Sequence, residues 1–296
     1  MTKLLETLGG KLAERWLTML LVPSVLLMTV AAVGATLRHD RWNDLGLLLA
    51  KLNQLATVPA LRNTGTLVLL LAGLLTASAG LGLAATALGA AVERVWLAQR
   101  PRWVANRRRR RWDAAQTEFA EALLAAAKAE GTPAEADTAA RARDLNARRN
   151  RIGLARPTRP FRLGDRIAAT DTRIWETYRL DVTSAWPRLW LILPEDVRTE
   201  IGAFRAKLAA ATRLMAWAVG YLAVGAFWWP SAIAGLIAAA TSWRRARVAG
   251  AAFMELTEST FDLHGRHLAE ALGIPCEGIL TKDVGAEITT LLRKRT

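Results

Sequence analysis

Two histidines, His264 and His267, stand three residues apart, with Glu258, Asp262 and Cys276 in the same stretch of sequence. That spacing sets both imidazoles on one helical face, and a carboxylate or thiolate could complete a zinc site there. A structural reading competes with it. Asp262 and Arg266 can pair across one helical turn, and His267 continues an apolar stripe, which suits a partly buried packing residue. We take the structural reading and assign no metal ligand, no cofactor and no catalytic residue. Cys276 is the one cysteine in the chain, and nothing nearby marks it as activated. Without a disulfide partner it agrees with a reducing, cytoplasmic setting. The P-loop, the Rossmann fingerprint, HExxH and GxSxG are all absent, so enzymatic chemistry ranks behind the other function classes.

Arginine carries the remaining chemistry. Lys and Arg number 40 against 26 Asp and Glu, a net charge of +14. The excess is clustered: Arg107, Arg108, Arg109, Arg110 and Arg111 form an unbroken run, and Arg244 and Arg245 sit with Arg247. Both clusters follow long apolar segments, which is the distribution of the positive-inside rule. Such clusters also attract anionic lipid headgroups, at about 1 kcal/mol per basic residue near the surface. Nucleic-acid binding would want aromatics interleaved on a defined module. Trp103 and Trp112 only flank the run, and a membrane interface explains them better. Arg213 stands at the edge of another apolar segment, where it can snorkel. If subunits cluster, Arg213 with Lys207 would form a positive ring favouring anions.

The elements that position these residues are predicted to be helices throughout, since Ala, Leu and Arg dominate and favour helix. Leu17 to Leu37 carries no charge and is long enough to cross a bilayer, which takes about 20 helical residues. No small-residue cleavage motif follows it, so it reads as a retained span, bent at Pro23. A second uncharged span covers about 64–92. A hairpin, Leu214–Trp229 and Pro230–Trp243, turns at Trp228, Trp229 and Pro230 between Arg213 and Arg244. Each arm is about 21–24 Å of helix, shorter than a hydrocarbon core of about 30 Å. The reading is therefore all-α: four membrane-embedded helices in two hairpins plus a helical cytoplasmic domain. An even number of crossings puts both termini on the arginine-rich, cytoplasmic side. Trp16, Trp96 and Trp243 then fall at the inner boundary, and Trp42, Trp228 and Trp229 at the outer one.

By segment, 1–96 is an N-terminal transmembrane hairpin. Its 38–63 loop holds an amphipathic helix, marked by Leu45, Leu48, Leu49 and Leu52, that packs across the span ends or lies on the membrane. Residues 97–194 form the cytoplasmic domain. Helices are expected over Asp113–Glu130, Ala134–Arg151 and Asp165–Tyr178, with a turn at Gly131-Thr132-Pro133. The apolar stretch Ala185–Pro194 is too short to span; it lies at the inner membrane surface or plugs the helical core. Residues 195–272 form a long hairpin with its tip, about 214–243, in the membrane. Its lower arms are seamed by Val197, Ile201, Phe204 and Leu208 against Ala249, Phe253, Leu256, Thr260 and Leu263. A tail helix over Asp283–Arg293 follows the Gly273-Ile274-Pro275 break.

The second span holds the most informative pattern. Gly73, Ala77, Gly80, Ala84, Ala87 and Ala91 alternate steps of four and three on one face. Leu67, Leu74, Leu81 and Leu88 line a neighbouring face. In lipid, small residues let helix backbones touch, so this seam packs helices within one subunit or around an oligomer axis. An uncharged seam around an axis could also form a hydrophobic gate.

Arg156-Pro157-Thr158-Arg159, Leu163-Gly164-Asp165-Arg166, Leu180-Asp181 and Ala185-Trp186-Pro187-Arg188-Leu189-Trp190, with the Trp-Trp-Pro hairpin, resemble uncharacterised actinobacterial multi-pass membrane proteins across the C-terminal half. That resemblance implies a bacterial inner-membrane setting and no activity. The expected function is a homo-oligomeric channel or pore-type assembly in contact with membrane lipids, carrying a cytoplasmic regulatory domain. The alternative is a non-conducting scaffold that recruits a cytoplasmic protein through residues 113–209 and 244–296.

Overall fold

The computed structural model describes residues 21–59, 63–153 and 155–293, which are all-helical with no strand. Ten helices follow in order: α1 Val22–Leu37, α2 Leu45–Ala56, α3 Thr64–Leu97, α4 Arg102–Lys128, α5 Glu135–Ile152, α6 Arg162–Tyr178, α7 Val182–Ile192, α8 Glu195–Gly225, α9 Trp229–Ala271 and α10 Lys282–Leu292. The start of the first predicted span, Leu17 to Leu20, and Trp16 lie outside the described residues.

The chain divides into two compact units. One holds the described residues through Glu93 together with Ala209–Arg245; the other holds Arg94–Leu208 and the described residues from Ala246.

In the first unit, close approach replaces bulk. Leu27 of α1 presses on Gly220 of α8, where a Cβ would fall 2.7 Å from its methyl, and Gly235 of α9 leaves the same kind of room for Leu222. Two buried serines tie α8 to α9 in antiparallel register: Ser231 Oγ donates to Tyr221 O (2.8 Å) and Ser242 Oγ to Ala211 O (2.7 Å). The turn between these helices falls at 226–228, slightly earlier than predicted. Pro230 sits in the first turn of α9, where the missing N–H costs nothing. The α1–α2 loop is pinned to this turn. His39 Nε2 is 3.0 Å from Ala226 O, Trp228 Nε1 donates to Trp42 O, and Trp42 packs on Trp229 with ring centroids 4.8 Å apart. The three tryptophans predicted at one boundary thus form one cluster. Helix α2 is capped by Asp44, which accepts from Leu47 N, and buries no residue at all.

Where four embedded segments are predicted, two helices among the described residues are long and apolar enough to cross a membrane: α3 and α8. The described part of α1 has 16 residues. Arg244 cuts the apolar start of α9 at about 14 residues, short of the usual requirement of about 20.

The second unit has a conventional core. Phe261, Leu189, Leu180, Ile288, Ile201, Ile174 and Leu268 are all buried within it. Helix α7, capped by Asp181, inserts Ala185, Leu189 and Leu193 into this core. The stretch 185–194 is therefore the plug of the two alternatives. On α9 the buried face runs through Met254, Thr257, Phe261 and Leu268, while Leu263 is 73% exposed. Leu263 is off the predicted seam because its position lies well around the helix from Phe261. His267 is exposed for the same reason. Helix α4 begins at Arg102, well before the predicted Asp113, because arginine is a good helix former and the charged run simply continues the helix. Helices α4 and α5 form an antiparallel pair around Gly131, whose φ of +74° suits glycine. Arg149 of α5 lies over the rings of Trp112 and Phe119 of α4.

Helix α10 closes the core. Thr289 Oγ1 donates to Arg179 O and accepts from Asp181 N. Gly285 lies directly against the carbonyl oxygen of Tyr178, with no room for a side chain. Gly285→Ala is expected to cost about 3 kcal/mol, since backbone cannot yield as a side chain would. A thermal melt of the purified protein checks this; an unchanged midpoint contradicts the close contact.

Candidate membrane face and arginine cluster

Helix α3 has two small-residue faces. Ser78, Gly82, Ala85 and Gly89 are buried. Ser78 Oγ meets Met28 Sδ at 3.7 Å, and Ala85 joins a cluster with Leu27, Ala216 and Trp217. A Cβ on Gly89 would lie 3.2 Å from the backbone N of Arg213, so the two backbones meet there. The predicted seam is the other face. Gly73, Ala77, Gly80, Ala84 and Ala87 are exposed and Ala91 is half-buried. A Cβ built on Gly73 or Gly80 meets nothing within 4 Å. A helix this rich in Ala and Gly carries two parallel 4-3-4 registers, and the bulk of Leu27 and Trp217 decides which one the chain uses. From Leu67 to Val92 the outward face carries no charge. Leu69 is 74% exposed and Leu71 59%, and Thr76 and Thr86 donate their hydroxyls to their own helix, at Ala72 O and Gly82 O. Only 11% of the most apolar stretch of α3 is buried, against 44% for α8.

Arg213 is half-buried beside Gly89, and Arg244 and Arg245 are exposed.

In the second unit the arginine run is divided. Arg108 and Arg109 are half-buried; Arg107, Arg110 and Arg111 are exposed. Arg108 Nη1 donates to Asp165 Oδ2 (2.5 Å) and to Arg159 O, and its Nη2 donates to Ile152 O at the end of α5. Arg109 donates to Pro157 O. Asp165 in turn accepts from the backbone N–H groups of Thr158 (2.8 Å) and Arg159 (2.6 Å). Arg159 caps α3 by donating to Leu97 O, and Gly164 packs against Trp96 O. The 156–166 segment, which the sequence marks only through its resemblance, is thus the centre of this network. The overlooked signal is an Asp in the first turn of a predicted helix, where a carboxylate is stabilised by the free N–H groups.

Crowding by cations leaves its mark. Burial, together with repulsion from Arg247, Arg108 and Arg166, pushes Arg162 below its ordinary pKa, with Asp165 offsetting part of it. Nearby, burial pushes the Asp181 carboxyl up, but donors Ser184 and Arg293 more than offset it and its pKa falls. Tyr178 is raised to about 12, first by burial and then by donating to Asp262 Oδ1 (2.7 Å).

The histidine pair gathers little around it. His264 and His267 have ring centroids 5.7 Å apart, and among the described residues no group of three His, Cys, Asp or Glu could hold a metal. Cys276 is buried, 3.8 Å from Ile279 O. An open cleft of about 320 Å³ lies between α6, α7 and Arg293, lined by Asp171, Trp175 and Asp181. No protein-family model matches the chain, and no curated protein and no solved structure is significantly similar to it.

Two measurements follow from this network. Asp165→Asn leaves Arg108 without its counter-charge and is expected to cost about 2–3 kcal/mol of stability, read by denaturant unfolding. The Tyr178 proton stabilises the fold fully below the ordinary phenol value of about 10 and ceases to do so as pH rises through its raised value. The chain has two tyrosines, so in Tyr221→Phe the absorbance of one tyrosinate is followed. Its midpoint should stand about 12 and drop towards 10 on adding Asp262→Ala.

Proposed function

We propose that the chain is an integral membrane protein that assembles with copies of itself along the outward face of α3, presenting its basic helical unit on the cytoplasmic side. One observation carries this reading: a 34-residue apolar helix that its own chain leaves almost uncovered. A core helix of a soluble protein would be buried, and each large apolar side chain left in water forgoes about 1.5–3 kcal/mol. Lipid covers most of that surface. The Gly73–Ala77–Gly80–Ala84–Ala87 stripe suits another helix better, because in lipid close backbone approach is what drives association.

Such an assembly can serve as a scaffold or as a pore, and the lining favours the scaffold. Small residues that let backbones touch also close the axis between them. The two hydroxyls on the outward side of α3 are already spent within the helix, and no charge or amide is there to strip water from an ion. The basic unit then acts as the docking platform for a cytoplasmic protein. The pore remains the second reading, because an uncharged stripe is also the material of a gate that opens by wetting. The arginines after α3 and those in α9 beyond its apolar start favour a cytoplasmic position for the second unit. A bacterial inner membrane is the setting we infer.

Mass measurement in nanodiscs tests the assembly. A discrete oligomer is expected, and Gly80→Leu with Ala84→Leu should break it without lowering the melting temperature, since nothing in the chain occupies that space. Gly89→Leu should instead unfold the first unit, by about 3 kcal/mol or more. A wild-type monomer would remove the self-association reading. Liposomes holding the oligomer should stay tight to ions; a steady conductance would move the function to the pore.

A further inference from the structure

The arginine run sorts into two sets on α4. Arg108 and Arg109 are occupied inside the unit. Arg107 and Arg110 are exposed and, among the described residues, have no ion-pair or hydrogen-bond partner; Arg102 is the same. Trp103 belongs with this second set. It is 67% exposed, and with Arg107 and Arg110 it falls at i, i+4 and i+7 on one helical face. An indole so exposed leaves most of its apolar surface in water. At headgroup level its ring enters the apolar boundary while its N–H keeps a polar partner.

The arginine run lies at one end of α4, and only Lys128 in the last turn is basic at the other. Farther along, the same side of the helix carries Glu118 and Glu121, also exposed. The basic end is the one joined to α3 by the short 98–101 connection. A chain reaches at most ~3.6 Å per residue, which keeps Arg102 and Trp103 within reach of the headgroups where α3 leaves the hydrocarbon.

We propose that Arg102, Trp103, Arg107 and Arg110 form a docking face for anionic phospholipid headgroups in the leaflet next to the C-terminal end of α3. This rests on the reading that α3 crosses a bilayer. Phosphodiester oxygens accept from the guanidinium forks, the net negative charge of the leaflet supplies the attraction, and Trp103 anchors the helix at a fixed depth.

The full chain is placed in nanodiscs of phosphatidylcholine alone and of phosphatidylcholine with one-fifth phosphatidylglycerol, and amide hydrogen exchange is followed over residues 102–114. Exchange is expected to slow about tenfold in the anionic discs. Trp103→Ala, Arg107→Gln with Arg110→Gln, or high salt should each remove that slowing. Equal exchange in both discs overturns the proposal while leaving the membrane reading intact. So does equal slowing by inorganic phosphate or an oligonucleotide in phosphatidylcholine discs, which would assign the face to a soluble anion. A chain that alkaline carbonate strips from membranes overturns the membrane reading, and this proposal with it.

Discussion

One carboxylate organises the arginine network of the basic unit. Asp165 accepts from two backbone N–H groups and from Arg108, and through Arg108 and Arg159 it governs which groups finish α3 and α5. A helix ends with carbonyls that have no partner in the helix, and many helices satisfy them with a glycine-led turn. Here arginine does that work: Arg159 on Leu97 O, Arg108 on Ile152 O, and Arg162 on Asn150 O just before it. Part of the cationic excess is converted into donors for helix ends, and one half-buried acid offsets part of the repulsion among the converted arginines.

The first unit solves a different problem with different residues. Its helices meet through close fit and through polar groups satisfied internally, the mode of packing that a bilayer would demand. Gly220 and Gly235 accept leucines from neighbouring helices, and the two buried serines bond to backbone carbonyls across the α8–α9 hairpin. Glycine inside a helix costs about 1 kcal/mol relative to alanine, a cost that only close packing can offset.

Much of the helical layout was legible in the sequence. Gly131, Pro194 and Gly273 punctuate it, and the helix bounds around them fell within a few residues of expectation. Faces were harder to read than elements. Along α9 the predicted stripe holds at Ala249 and Thr260, which are buried, but Met254, Thr257, Phe261 and Leu268 extend the buried side, and the last stripe position, Leu263, faces out. On α3 two small-residue registers coexist, and only the tertiary partners Leu27 and Trp217 distinguish them. The arginine run looked like a single feature because sequence gives no view of what lies opposite. Arg108 and Asp165 are far apart in the chain, and a half-buried pair of that kind has no local signature.

The contact between Gly285 and the Tyr178 carbonyl sets an order of events during synthesis. Helix α6 leaves the ribosome roughly a hundred residues before α10, a delay of about 5–20 s at ordinary elongation rates. Throughout that interval the pocket that Ile288 and Thr289 will fill is open, and the α8–α9 hairpin is made within it. The core of the second unit can close only after that hairpin has been produced. Any chain interrupted in between would display an unfinished apolar core to chaperones and proteases.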